Sequence, residues 1–232
     1  MKICVFSDIH GNGAAFFAAY PQIISEGADI YLFLGDLCGY YYSQLTIHPY
    51  LAEIPNLVAI CGNHEQMLLK MRGGDEDLRF SYLANFGHSM EGLLENGDTS
   101  FCDWIAGWPL TYRNENENFV CFHGSPKNYT EGYLYPDSKF EELGEALEKF
   151  VFLGHTHYCM DRKIGQIRFI NPGSLGQPRD GAWPTYAVVD TTSETVCFKK
   201  VLYDKNALLR EIEVMGDGDK YLKQILEKYG KA

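Results

Sequence analysis

Between residues 8 and 157, five short apolar runs each stop at an aspartate, an asparagine or a histidine. The most constraining of them is Ile30-Tyr31-Leu32-Phe33-Leu34-Gly35-Asp36. Five apolar residues in succession, beginning with a β-branched one and including two aromatics, read as a strand buried on both faces. The glycine lets the backbone turn sharply, so a carboxylate emerges at the strand's carboxyl end. In open α/β sheets that edge is where ligands bind. A carboxylate buried there is costly without a positive partner, so the rest of the chain has to supply one.

The other runs repeat the pattern. Lys2 to Ser7 reads as a first strand and leads into Asp8-Ile9-His10-Gly11-Asn12-Gly13. The D-x-H spacing places both side chains on one face of an extended segment. Ala14 to Ser25 reads as a helix that Pro21 should kink or split, and it completes a β-α-β unit with a parallel pair. Asn56 to Cys61 is a third strand, ending in Gly62-Asn63-His64-Glu65. Gln66 to Trp108 is helical and polar, interrupted by an acidic loop at Gly73 to Asp77, and reads as a helical cap or flank. Asn114 to Asn118 is a hairpin turn between Leu110–Arg113 and Phe119–Phe122, and the second strand ends in His123-Gly124-Ser125-Pro126.

A tyrosine-rich loop and a helix near Ser138 to Lys149 lead to Phe150–Leu153, which ends in Gly154-His155-Thr156-His157. Two short strands flank a turn at Gly165, and Asn171 to Gly181 forms a turn-rich loop. Ala182 to Tyr203 reads as a closing hairpin, and Asp204 as the N-cap of a helix starting at Lys205. A last helix presents Tyr221, Leu222, Ile225, Leu226 and Tyr229 on one face.

With 232 residues, 46% of them hydrophobic, the chain suits a single domain over 1–232, with a helical segment at about 66–108 and C-terminal helices at about 205–229. A net charge of -11 disfavours a general grip on duplex nucleic acid. It leaves room for a phosphorylated substrate if local cations reverse the sign. The seven cysteines include no C-x-x-C pair, and Cys4, Cys61 and Cys121 fall inside apolar runs, as small buried hydrophobes of a reducing compartment do. Met1-Lys2 leads straight into a strand, and no apolar stretch approaches membrane length. The expectation is a cytoplasmic protein of open oligomeric state.

Five of the seven histidines sit at these strand ends; His48 and His88 are the exceptions. Oxygen and imidazole donors without thiolate suit Mn, Fe, Zn, Co or Ni. Asp8, His10, Asp36, Asn63, His123, His155 and His157 are too many ligands for one ion. They suit two divalent or trivalent ions sharing a carboxylate, for which Asp36 is the candidate bridge.

The ordered blocks D-x-H, G-D, G-N-H-E, H-G-S-P and G-H-T-H resemble those of the calcineurin-like metallophosphoesterases. The loop Asn171 to Gly181 and the segment Val201-Leu202-Tyr203-Asp204 resemble a bacterial and archaeal phosphodiesterase-like branch. The resemblance implies an α/β fold, a four-layer α/β/β/α sandwich of two mixed β-sheets flanked by helices. By motif it implies Asp8, His10, Asp36 and His157 on one metal and Asp36, Asn63, His123 and His155 on the other. His64 is then the unliganded histidine near the leaving group. The chain departs from the branch in two places: Tyr41-Tyr42-Ser43 follows Gly39-Tyr40 where relatives place Gly-Pro, and Glu65 stands where aspartate is common.

The implied activity is hydrolysis of phosphodiesters or phosphomonoesters. Two ions lower the pKa of a shared water for in-line attack and neutralise charge on the phosphoryl oxygens. In that scheme Asn63 binds metal and phosphate, and His64 protonates the leaving alkoxide. Ser125 and Ser174 have no evident base and read as turn residues. Arg179, in a Gly/Pro-rich loop, is a candidate phosphate contact or a structural arginine pairing with Asp180 or another carboxylate. Tyr40, Tyr41 and Tyr42 are candidates for an aromatic wall against a nucleobase or aryl group, or for ordinary packing. The alternatives are a dinucleoside polyphosphate hydrolase, a phosphoprotein phosphatase, or a non-catalytic interaction module on the same fold. The module should have lost ligands that this chain retains.

Overall fold

The first strand, β1 (Lys2–Phe6), lies in the middle of a sheet rather than at its edge. A computed structural model describes residues 1–95, 99–140, 148–181 and 183–217. In chain order β1 is followed by α1 (Gly13–Ser25), β2 (Ile30–Phe33), α2 (Gln44–Ala52) and β3 (Leu57–Ala59). Then come α3 (Asn63–Arg72), α4 (Glu76–Phe86), α5 (Glu91–Glu95) and α6 (Ser100–Ala106). The second half holds β4 (Thr111–Asn114), β5 (Phe119–Phe122), β6 (Phe150–Phe152), β7 (Cys159–Ile164), β8 (Ile167–Pro172), β9 (Thr185–Asp190), β10 (Thr195–Lys200) and α7 (Lys205–Val214).

Among the described residues the strands form two five-stranded sheets, ordered β10-β9-β1-β2-β3 and β4-β5-β6-β8-β7. Both are mixed. In the first, β1 pairs parallel with β2 and antiparallel with β9. In the second, β6 lies parallel to β5 and β8, while β4 and β7 are antiparallel edges.

Strand alternation sorts the core into layers. Ile3, Val5, Leu32 and Leu34 face Phe119, Cys121, Phe150, Phe152 and Ile170 across the space between the sheets. Cys4, Phe6, Tyr31 and Phe33 face outward onto Phe16 and Ile23 of α1, Ile47 and Leu51 of α2, Leu68 of α3 and Phe101 of α6. On the far face of the second sheet, Val120, Val151 and Phe169 are covered by Leu134 and Phe140. The result is two mixed sheets packed face to face and flanked by helices, as the strand-end motifs implied.

Several boundaries differ from the sequence reading. β2 stops at Phe33, because Gly35 and Asp36 have φ of 95° and 60° and cannot continue a ladder. Pro21 sits inside α1 without splitting it. Phe17, whose carbonyl loses its partner there, lies at the surface. Helix α2 was not anticipated, since Pro49 in its middle masks the pattern of buried Gln44, Ile47 and Leu51. The hairpins around Asn114–Asn118 and Gly165 are present. Asp204 caps α7, its carboxylate accepting from the Asn206 amide at 2.9 Å. Most of the helix expected near 138–149, and all of the one bearing Tyr221 to Tyr229, lie outside the described residues.

Candidate metal centre

The carboxyl ends of β1, β2, β3, β5 and β6 converge, and their loops are locked to each other by backbone hydrogen bonds. The amides of Asp8, His10 and Gly11 donate to the carbonyls of Gly35, Asp36 and Leu37 at 2.8–3.0 Å. The Asp8-Ile9-His10 segment is not extended, contrary to the spacing argument. Asp8 and His10 have φ of 56° and 50°, as do, near the same values, Asp36, Tyr40, His155 and His157. Left-handed backbone costs a non-glycine residue about 1–2 kcal/mol. Its concentration at this one place marks a site held in shape by its surroundings. Close approach does the rest: a Cβ on Gly62 would strike the Asp36 carboxylate, and one on Gly39 the His64 ring.

Three of the histidines are oriented by main-chain carbonyls. His10 Nδ1 lies 3.0 Å from the carbonyl of Cys38, His123 Nδ1 2.7 Å from that of Leu34, and His157 Nδ1 2.6 Å from that of Gln177. A carbonyl only accepts, so each Nδ1 carries a proton and each Nε2 is the nitrogen turned inward, offering a lone pair there whenever it is unprotonated. These lone pairs meet other acceptors. His10 Nε2 and His157 Nε2 are 3.0 Å apart, and Asp8 Oδ1 lies 3.3 Å from the latter. His123 Nε2 is 3.0 Å from Asn63 Oδ1 and 3.2 Å from Asp36 Oδ2. Asp8 Oδ1 and His155 Nε2 are buried without a hydrogen-bond partner. A buried cluster of acceptors facing acceptors fits a cation.

Three groups of ligand atoms lie within 4.8 Å of one another: Asp8, His10 and His157; Asp36, His123 and His155; and His10, Asp36 and His64. The titration behaviour expresses the same demand for positive charge. Burial opposes ionisation of Asp8, yet His157 and then His123 outweigh it and hold the carboxyl at about 2. Asp36 is likewise driven well below the usual range, His123 and His64 overcoming burial. Burial alone would lower His123, but Asp36 raises it to about 9. Burial, helped by His123, brings His155 to about 4. Burial is also the main cause lowering His10 and His64.

Above the cluster opens a pocket of about 170 Å³, with Asp36, Asn63, His155 and His157 at its base and Tyr40, His64 and Phe86 along one wall. Arg179 enters it, donating from Nη2 to Gln177 Oε1 at 3.1 Å and to the Tyr40 hydroxyl at 3.4 Å. Asp180, the structural partner considered for Arg179, accepts instead from the Cys159 amide at 2.5 Å. All seven expected ligands, His64, Arg179 and Tyr40 therefore come together.

Tyr41 and Tyr42 do not. Tyr41 is fully buried against Leu208 and Ile212 of α7, and its hydroxyl accepts from Gln177. Tyr42 donates to Asp217 at 2.7 Å. Neither lines the pocket over the ligand cluster. His48 packs on Trp104, and His88 pairs with Asp217. Ser125 and Ser174 bond to neighbouring loop backbone, as expected of turn residues.

Three contributors escaped the sequence reading. Glu65, fully buried, accepts from the amides of Asp36 (2.7 Å) and Gly62 (2.9 Å) on one oxygen and Cys38 (2.9 Å) on the other. Burial, reinforced by Asp36, pushes its carboxyl up to about 7. Its place three residues after Gly62, at the start of α3, is a capping signature that could have flagged it. Tyr82 accepts from the Tyr40 amide at 3.3 Å and stands 3.4 Å from His64 Nδ1. Tyr133 lines the pocket from the loop after β5. Tyr133 falls in the tyrosine-rich loop of the sequence without being told apart from its neighbours, and nothing local marks Tyr82.

Comparison with known proteins agrees with this geometry. The profile of the calcineurin-like phosphoesterase superfamily domain matches residues 1–194. An uncharacterised protein of Methanocaldococcus jannaschii is 25% identical over 221 residues, covering 87% of this chain and 88% of that protein. The crystal structure of a metallophosphoesterase from Sphaerobacter thermophilus superposes with a TM-score of 0.78 at 22% identity, over 100% of this chain and 99% of that one. A hypothetical protein from Pyrococcus horikoshii gives 0.80 at 20% identity, over 99% and 98%.

Proposed function

This chain belongs to the calcineurin-like phosphoesterase superfamily, and from that premise we propose that it hydrolyses phosphodiester or phosphomonoester bonds with two bound metal ions. The observation that carries the proposal is the set of buried lone pairs facing one another on His10, His157, His123, Asn63 and the two aspartates. Asp8, His10, Asp36 and His157 would hold one ion, and Asp36, Asn63, His123 and His155 would hold the other. Asp36 Oδ2 suits the shared position because it faces both groups, 3.7 Å from His10 Nε2 and 3.2 Å from His123 Nε2. Its Oδ1 is already engaged by the His64 amide at 2.9 Å.

When bound, such a pair supplies Lewis-acid charge and an activated water for in-line attack on phosphorus. The protein's own groups do the positioning. The Asn63 oxygen faces the ligand cluster, which leaves its amide hydrogens for a phosphoryl oxygen. Arg179 brings a planar fork to the same pocket, matched to two phosphoryl oxygens. His64, among the ligands yet oriented by none of the carbonyls that fix the others, is the proton donor to the leaving oxygen. As imidazolium, His64 can give its Nδ1 proton to the Tyr82 oxygen, 3.4 Å away, as a hydrogen bond and keep its Nε2 proton for the leaving oxygen, returning to neutral imidazole. Retention of every ligand and of His64 supports an enzyme over a non-catalytic module.

Metal analysis of gently purified protein, combined with a screen of mono- and diesters, tests the proposal. Two equivalents of metal are expected, with hydrolysis abolished by chelation and restored by Mn, Fe, Zn, Co or Ni. A protein that binds none of these ions, or that binds two and cleaves no phosphoester, refutes it.

A further inference from the structure

The pocket over the ligand cluster holds about 170 Å³. Complete small-molecule sites run to roughly 300–1,000 Å³. There is room for a phosphoryl group, so the organic part of a substrate has to rest on the pocket's mouth.

Tyr40, on the pocket wall, cannot receive it. Tyr40 is 7% exposed and packed on the rings of His10, His64 and Phe86, at centroid distances of 4.5, 4.9 and 5.6 Å. Tyr133, on the same pocket, is different: it is 57% exposed. Its ring sits 4.3 Å from that of His155. Tyr135 stacks on it at 5.9 Å with only 14° between the planes, and Tyr158 braces Tyr135 edge-on at 5.6 Å. An isolated exposed tyrosine is ordinary. This one is held from two sides at the rim of a phosphoryl-sized hole, with more than half of its surface open.

We propose that the site takes phosphoesters carrying a flat aromatic group, a nucleoside above all, and that Tyr133 is the platform on which that group stacks. The inference rests on the phosphoesterase reading and adds the substrate class to it. The wall expected from Tyr40 to Tyr42 is supplied by a different loop. Stacking is sequence-tolerant because every base has a π-face, so Tyr133 selects for a base without selecting which one.

Thymidine p-nitrophenyl phosphate and methyl p-nitrophenyl phosphate share a leaving group and differ only in the group retained. For Tyr133→Leu, the ratio of kcat/KM between them should fall about 5- to 150-fold, the equivalent of the roughly 1–3 kcal/mol of one base–aromatic stack. The loss should be carried by KM, as for binding shared by ground and transition states. Tyr133→Phe, which keeps the ring, should preserve the ratio. An unchanged ratio in Tyr133→Leu, with folding and metals intact, overturns the proposal. If the wild type with metals loaded cleaves neither of these diesters and no phosphomonoester, the hydrolytic reading fails separately. The platform is then judged from binding of thymidine monophosphate against methyl phosphate, where equal weakening of both by Tyr133→Leu overturns it.

Discussion

Replacing Glu65 by glutamine asks how far the ligand shell depends on a residue that touches no ligand side chain. The carboxylate accepts three buried amides, those of Asp36, Gly62 and Cys38. The first belongs to the residue proposed to lie between the two ions. The last belongs to the residue whose carbonyl orients His10. Glutamine keeps one oxygen for two of these amides and turns an NH2 group toward the third, so a donor faces a donor. One buried group left unsatisfied costs roughly 1–3 kcal/mol. For a chain of this size that corresponds to a fall in Tm of about 2–12 °C. Glu65→Ala strands all three amides and should fall further.

The variant also carries a pH signature. In metal-free protein the folded carboxyl, at about 7, keeps its proton longer than its ordinary value of 4.5 allows. Between those values the folded state binds more protons than the unfolded one, so wild-type stability falls as pH rises. Glu65→Gln lacks that slope. Melting curves of both proteins across the window, followed by metal titration, are the assay. Glutamine should lower Tm, flatten its dependence on pH and weaken metal binding. Equal Tm, parallel pH curves and unaltered metal affinity would refute the reasoning, showing that the loops hold their shape without this carboxylate.

Asp36→Asn removes a formal charge from the atom shared by both ligand groups and should lose at least one metal and nearly all activity; two retained metals with near-normal turnover sink the bridging role. His64→Ala should slow alkyl and nucleoside esters by about 10²–10⁴-fold but p-nitrophenyl esters less, since p-nitrophenolate departs without help. Equal losses on good and poor leaving groups, with metals kept, rule out the acid role. Arg179→Lys keeps the charge and loses the fork, so kcat/KM should fall while melting and metal content stay; an unchanged efficiency leaves Arg179 a structural residue. Metal affinity should drop in acid because imidazole ligands bind deprotonated. Below about 9, loading should also displace the proton that Asp36 holds on His123, a release that calorimetry in buffers of different ionisation enthalpy would detect, and affinity independent of pH contradicts imidazole ligation.

The strand ends were legible because a central strand covered on both faces is a short apolar run, and the polar residue that stops it stands out. Asp36, His123 and His155 are visible in the residue pattern for that reason. The way they converge was not legible. Asp8 and His10 read as extended by their spacing, and it is the hydrogen bonds to Gly35 and Asp36, a β-α-β unit away, that hold them left-handed. The tyrosine cluster misled for a related reason. Tyr41 is hidden by Leu208 and Ile212, which lie far along the chain, and nothing local distinguishes a buried tyrosine from one at a rim. Tyr133 is the converse case, an aromatic in a tyrosine-rich loop that only the fold brings beside His155. The carbonyls of Leu34, Cys38 and Gln177 orient three ligands, and a main-chain group leaves no trace in residue type.

The pairing of β1 with β9, Ile3 opposite Val189, sets the order of events during synthesis. β1 is made long before β9, the strand that closes the centre of its sheet. Until then the nascent protein carries β1, β2 and β3 with an open flank on β1. Such long-range pairing is slow and exposes apolar strands in the interval. Under the proposed two-ion reading, ion capture follows folding. Protein made in metal-poor cells should emerge folded and be activated by later addition of ions, unlike small domains in which the metal itself nucleates the structure.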